Sequence, residues 1–340
     1  MPNYSLFSTF KKLPSLGQYF ILSFLLCLLA WLSLFSWSIV PITGQQALTA
    51  LFHPDRSIIA HSIVLDLRLP RALVAAVVGA CLAVAGAIMQ GLTRNPLASP
   101  SVLGVNAGAA LGIAAVSTVA PWFGLLGTSL AAILGGAITW GLVMLLGAAW
   151  RGGNEHGRLV LAGVAISALC AALTKAMIIL HEDQAAGVLT WLAGSVADAR
   201  WSHWQQLWPM AAVGLLGAFL MSPTLNLLNL GEDNARSLGV KLGWARVVCS
   251  LIVLLLVGAA LSVAGSIAFI GLLVPHMAKA LVGQDHRKII PLAAIMGAIL
   301  VMAADVVSRS IIYPIETPAG AILALIGAPF FIYMVSARTS

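Results

Sequence analysis

The sequence predicts an all-α integral membrane protein with ten transmembrane helices and both termini in the cytoplasm. Three observations carry that expectation. Of 340 residues, 60% are hydrophobic and 9% charged, with a mean hydropathy of +1.00, whereas a water-soluble domain carries about 25% charged residues. Read in windows of about 19 residues, apolar stretches fall at 19–40, 71–91, 101–119, 124–149, 159–180, 204–222, 245–264, 267–283, 289–309 and 318–336. Finally, Gly104, Gly108 and Gly112 recur at every fourth position, a ridge of small side chains on which a second helix can close.

Residues 1–18 read as a short cytoplasmic segment and 19–336 as one membrane domain without a fixed-period repeat. The first span is too long for a signal-peptide core and lacks a small-x-small pattern before Pro41, so it is expected to stay. The second opens with RLPR at 68–71 and stops at NPLASP, 95–100, where Asn and Pro break helices. Its stretch 73–89 is long enough to cross at 1.5 Å per residue. After the fifth span, 182–203 is too polar to cross, but Val188, Trp191, Leu192 and Val196 follow helical spacing and predict a short periplasmic interface helix. After the sixth, 222–243 is the largest cytoplasmic loop. Within it Glu232 and Asp233 suit the first turn of a helix, Arg236 the last, and Gly239 the stop. Pro275 and His276 interrupt the eighth span, which fits a kinked helix or a half-inserted segment equally well.

With ten spans, twelve of the 18 Lys and Arg lie on the side of the termini and five opposite, with Lys175 inside a span. The bias places the termini in the cytoplasm. The net charge of +7 contains no basic run longer than Lys11-Lys12 or Arg287-Lys288, so it reads as membrane orientation and not as nucleic-acid binding.

Reactive sets are missing. There is no Gly-Lys dipeptide and hence no Walker A loop, and neither HExxH nor GxSxG occurs. Cys27, Cys81, Cys170 and Cys249 sit singly in apolar stretches. No catalytic residue, metal site or cofactor is therefore expected, and nucleotide chemistry would belong to another chain. Lys175 and Asp305 are the charges inside spans. Lys175 can snorkel and Asp305 can pair with Arg309 at i, i+4, or both can line an outward-facing cavity. Arg68, Arg71 and Arg309 stand at the outer mouths of spans two and nine, as surface charges or docking points. A proton-coupled secondary carrier would need a titratable acid near the midplane, and an intramembrane hydrolase a nucleophile–base pair; neither pattern is present.

Taken together, RLPRALVA, GAIMQGLTRNPLASPSVLGVNAGAALG, LVLAGVAIS, WLAGSVADARW, GEDNARSLGV, AGSIAFIGLLVPHMAK, DHRKIIPLAAIMGA, ADVVSR and PAGAILALIGAPFFIYM resemble, in order, the FecCD family of ABC-transporter permeases. LNLLNLG with WLAGSVADARW is most similar to the ferric citrate branch. The resemblance implies the permease fold of type II ABC importers for vitamin B12 and ferric chelates, placed in the bacterial inner membrane. It implies two ATPase copies, a second permease subunit, identical or related, and a substrate-binding protein. The cargo would be ferric citrate or a ferric siderophore, with haem or cobalamin as the alternative. By the same resemblance Arg68, Arg71 and Arg309 receive acidic residues of the binding protein. Asn95 and Leu97 form the cytoplasmic gate, with His156 and Gly157 at a second constriction. Gly231, Glu232, Ala235, Arg236, Leu238 and Gly239 make the coupling helix that seats in the ATPase.

Overall fold

The structure, a computed structural model, describes residues 15–149, 155–180 and 182–339. The expected segment 1–18 lies outside the described residues except for its last four positions. Among the described residues there are helices and no strands. In chain order they are α1 Ser15–Phe35, α2 Gly44–Phe52, α3 Ile59–Ile63, α4 Leu69–Thr93, α5 Val105–Val119, α6 Gly124–Ala149 and α7 Glu155–Leu180. The chain continues with α8 Glu182–Ala193, α9 Trp201–Asn229, α10 Glu232–Ser237, α11 Leu242–Ala264, α12 Ile270–Val282, α13 His286–Ile311 and α14 Ala319–Thr339. Among the described residues seven helices are long and apolar enough to cross a membrane, α3 and α4 counting as one through a π-helical turn at Val64–Arg68; α5, α12 and the described part of α14 are shorter apolar helices.

The bundle is built around α4. Pro70 follows the π-helical turn at its start, and Arg94 ends it in the left-handed region at φ +49°, just ahead of Asn95-Pro96. Apolar residues occupy every face of this helix, the pattern of a fully enclosed helix. Of its most apolar window 83% is buried, against 17% in α1 and in α7. Helices α9, α11, α12 and α13 enclose it. Glycines permit this closeness: Gly79 lies against the backbone of Gly297 in α13, and Gly86 against Gly271 in α12, with no room for a Cβ at either crossing.

The glycine ridge read from the sequence meets α6, where Gly108 abuts Gly135 and Thr139 and Gly112 abuts Ala131. Gly104 does something different: at φ +83° it turns the chain into α5. Other boundaries also shift. Helix α8 ends at Ala193 with Gly194 at φ +68°, so Val196 is buried but lies beyond the helix. Helix α9 runs past Pro209 and Pro223 to Asn229, leaving only 230–241 to connect it to α11. Helix α12 passes through Pro275 as one 13-residue helix.

Two contacts fix the direction of the outer helices. Tyr19 donates to the Lys288 carbonyl at 2.8 Å, so α1 begins beside the start of α13. The Gly320 N–H donates to the Gly194 carbonyl at 2.8 Å, so α14 begins at the opposite end.

Candidate functional site

One end of the bundle carries a buried ionic cluster. Arg71, on the first turn of α4, donates Nε to Asp305 Oδ1 at 3.0 Å and Nη2 to the same oxygen at 2.7 Å, a side-on pairing of guanidinium and carboxylate. Its Nη1 reaches Glu316 Oε2 at 2.7 Å. Asp305 also receives Arg309 one turn along α13, the i, i+4 pair the sequence suggested. Arg309 further donates to the carbonyl and hydroxyl of Ser33 in α1, at 2.8 and 3.0 Å. Arg68 is held by two backbone carbonyls, Ser36 at 3.4 Å and Trp37 at 3.2 Å.

The three arginines converge on one cleft, each largely covered by neighbouring chain. Arg309 and Asp305 are each 1% exposed and Arg71 6%, because the two carboxylates meet the charges that water would otherwise solvate. Asp305 is thus enclosed between guanidinium groups and lines no open surface. The cluster borders a cleft of about 290 Å³, whose wall includes Arg68, Arg71, Arg309, Arg200 and Glu316. Lys175 is elsewhere, exposed on α7. Sequence reasoning missed Glu316, since nothing marks a loop carboxylate as the partner of an arginine 245 positions earlier.

At the other end, α4 terminates in the 95–100 turn. Asn95 Oδ1 accepts the Leu97 N–H at 2.9 Å and its carbonyl accepts the Ala98 N–H at 3.1 Å, a compact Asx turn that leaves Leu97 projecting at 37% exposure. His156 and Gly157 fall in the first turn of α7; their side-chain surroundings lie outside the described residues.

Beside the turn stands α10. Gly231 at φ +104° opens it and Gly239 at φ +86° closes it, the left-handed conformations glycine adopts without steric cost. Ala235 is fully buried while Leu238 is 60% exposed, so the short helix packs by one face and presents an apolar tip by the other. Glu232 ties it to the bundle through Arg246 of α11 at 2.5 Å and, more loosely, Arg94 at 3.9 Å. A cavity of about 670 Å³ opens next to it, walled by Arg94, Pro96, Asn229, His276 and Lys279 among others. Behind it, the Asn226 amide donates to Asp285 at 2.6 Å and holds that carboxyl below the usual carboxylate range. Among the described residues no three His, Cys, Asp or Glu side chains gather as a metal site.

Comparison with known proteins agrees with this architecture. Residues 25–337 match the profile of the FecCD transport family. The chain is 46% identical to the Fe(3+) dicitrate transport system permease protein FecC of Escherichia coli strain K12, over 92% of this chain and 95% of that one. It is 43% identical to the iron(3+)-hydroxamate import system permease protein FhuB of Bacillus subtilis strain 168, over 91% and 80%. A solved structure described as an inward-facing metal-chelate type ABC transporter superposes with a TM-score of 0.79 at 31% identity, covering 94% of this chain and 98% of that one. On the strength of a match that takes in almost every helix described above, the chain belongs to the FecCD transport family.

Proposed function

We propose that the chain is the membrane permease subunit of an ATP-binding-cassette importer for a ferric chelate, with ferric citrate as the first candidate. The observation that carries the reading is α10: a six-residue helix, locked between two left-handed glycines, offering Leu238 to a partner while Ala235 anchors it. A chain without a nucleotide-binding motif needs such a contact to receive work from a separate ATPase. In this reading all ten apolar helices span the inner membrane, and the basic α10 end, where α1 begins, faces the cytoplasm. Two ATPase copies bind at that end, a second permease subunit lies alongside, and the 95–100 turn with Leu97 closes the exit, with His156 and Gly157 as a further constriction.

The arginine end then receives the binding protein. Glu316 and Asp305 already occupy Arg71 and Arg309, which leaves Arg68, held by carbonyls alone, as the first receiver of an incoming carboxylate. Charge complementarity at such a rim mainly fixes orientation and speeds encounter. Arg68→Glu is expected to weaken binding-protein affinity about tenfold, or ~1.4 kcal/mol, with the loss shrinking as salt is raised. Equal affinities for variant and wild type would return Arg68 to a purely structural role.

The function is tested by uptake of radioactive iron, offered as citrate and as several siderophores, in cells with and without this gene. Loss confined to citrate supports the citrate assignment, loss with another chelate moves the cargo, and no loss with any iron chelate overturns an iron importer. Alongside, Leu238→Arg is expected to leave membrane insertion intact while reducing ATPase co-purification and transport about tenfold or more. Transport at the wild-type rate from that variant would exclude α10 as the coupling contact.

A further inference from the structure

The stretch DHRKIIPLAAIMGA, which opens α13, has no role in the reading so far. Its first residues are joined to two other helices at one point. Asn226, on the last turns of α9, spans the start of α13: its Nδ2 donates to Asp285 Oδ1 at 2.6 Å and its Oδ1 accepts the His286 N–H at 2.7 Å. Asp285 in turn caps α13 by accepting the Arg287 N–H at 3.0 Å. The His286 ring is fully buried, with Nδ1 3.1 Å from Asn226 Oδ1 and 3.4 Å from Asn229 Nδ2. A proton on Nδ1 satisfies the Asn226 oxygen, which leaves Nε2 as an acceptor without a hydrogen-bond partner. That bare edge is pressed on α4: a Cβ at Gly91 would lie 2.7 Å from Nε2.

The three helices joined here are the ones that matter for transmission. Helix α9 leads directly into α10. Helix α4 ends two residues beyond Gly91, just ahead of the 95–100 turn. Helix α13 is packed along α4 through Gly79–Gly297 and tied to it again at the far end by Arg71–Asp305. Contact at both ends and the middle makes α4 and α13 one body; α9 packs along it, and His286 with Asn226 is where side-chain hydrogen bonds fix α9 to the start of α13.

We propose that the Asn226–His286 clasp is the positioning element that carries displacement of α10 into the 95–100 turn. This rests on the reading of α10 as the ATPase contact. Without the clasp, α9 can shift against α13 and nucleotide-driven movement of α10 is dissipated before it reaches the gate.

The test uses the full transporter reconstituted with its ATPase. Asn226→Ala and His286→Ala are expected to assemble and hydrolyse ATP at near the wild-type rate while transport per ATP falls at least fivefold. His286→Asn, which keeps a donor for Asn226, is expected to recover part of that ratio. Gly91→Ala drives a methyl into the ring, and its defect is expected to be relieved when combined with His286→Asn. Hydrogen exchange of the 95–100 turn, measured with and without ATP, supplies a readout independent of cargo. A nucleotide response in the wild type that disappears in Asn226→Ala supports the clasp; an equal response in both, or none in the wild type, overturns it. Absence of chelate transport by the wild type, with that exchange response present, would overturn the cargo reading and leave the clasp standing.

Discussion

Asp305→Ala is expected to abolish accumulation of folded protein at normal growth temperature. The carboxylate is 1% exposed and faces two guanidinium groups, from Arg71 and Arg309, that are themselves almost fully enclosed. Removing one partner of a buried pair costs about 3–5 kcal/mol because the remaining charge is left without water or counter-ion. Here one deletion strands Arg309 and leaves Arg71 with Glu316 alone, against a total stability of about 5–15 kcal/mol for a typical folded protein. Asp305→Asn, which keeps an acceptor but not the charge, is expected to fall between. Glu316→Gln is expected to cost much less, since that side chain is 33% exposed and water can replace it. Accumulation in membranes, and thermal unfolding of those variants that can be purified in detergent, order the three. A melting temperature for Asp305→Ala equal to the wild type's would show that the cluster does not hold the bundle together.

The second large effect is expected at the α4–α13 crossing. Alanine normally stabilises a helix by about 0.5–1 kcal/mol relative to glycine. Gly141 in α6 has open space where a Cβ would go, so Gly141→Ala is expected to be neutral or slightly stabilising. Gly297→Ala should have the opposite sign. Its added methyl meets the Gly79 carbonyl and the Ala83 side chain, and backbone atoms of a buried helix cannot move aside singly. Overpacking of this kind costs typically 1–3 kcal/mol, and the displacement it forces would also pull Arg71 from Asp305. A melting temperature that falls for Gly297→Ala while holding for Gly141→Ala is the expected pattern. The same shift for both substitutions would refute the crossing as a tight backbone contact.

Much of the architecture can be read from local sequence. A helix occupies each apolar window because hydrophobicity over such a window, unlike a tertiary contact, needs no partner to be recognised. The bounds of α10 were legible for a similar reason: a terminal glycine and a charge gradient across six residues are local signals. Arg309 with Asp305 was legible as an i, i+4 pair. The Arg71–Asp305 contact was not, since it joins positions 234 apart and depends on which helices cross. The three arginines therefore read as separate mouth charges, with no sign that they are largely buried around a shared pair of carboxylates on one cleft. His286 was equally opaque: in sequence it is one histidine among seven at a helix start, and its meaning comes from Asn226 and Gly91, on two other helices.

The enclosure of α4 also bears on the order in which the chain is made. Helix α4 leaves the ribosome early, while α11, α12 and α13, which cover most of its surface, follow much later. Translation at about 5–20 residues per second puts on the order of 10–50 s between Arg71 and Asp305. During that interval the newly inserted helix has lipid on faces that will later be covered by protein, and its guanidinium must reach toward the headgroups for want of a counter-ion. Biogenesis, more than the finished fold, is where a chaperone or a slowly translated stretch would help this protein most.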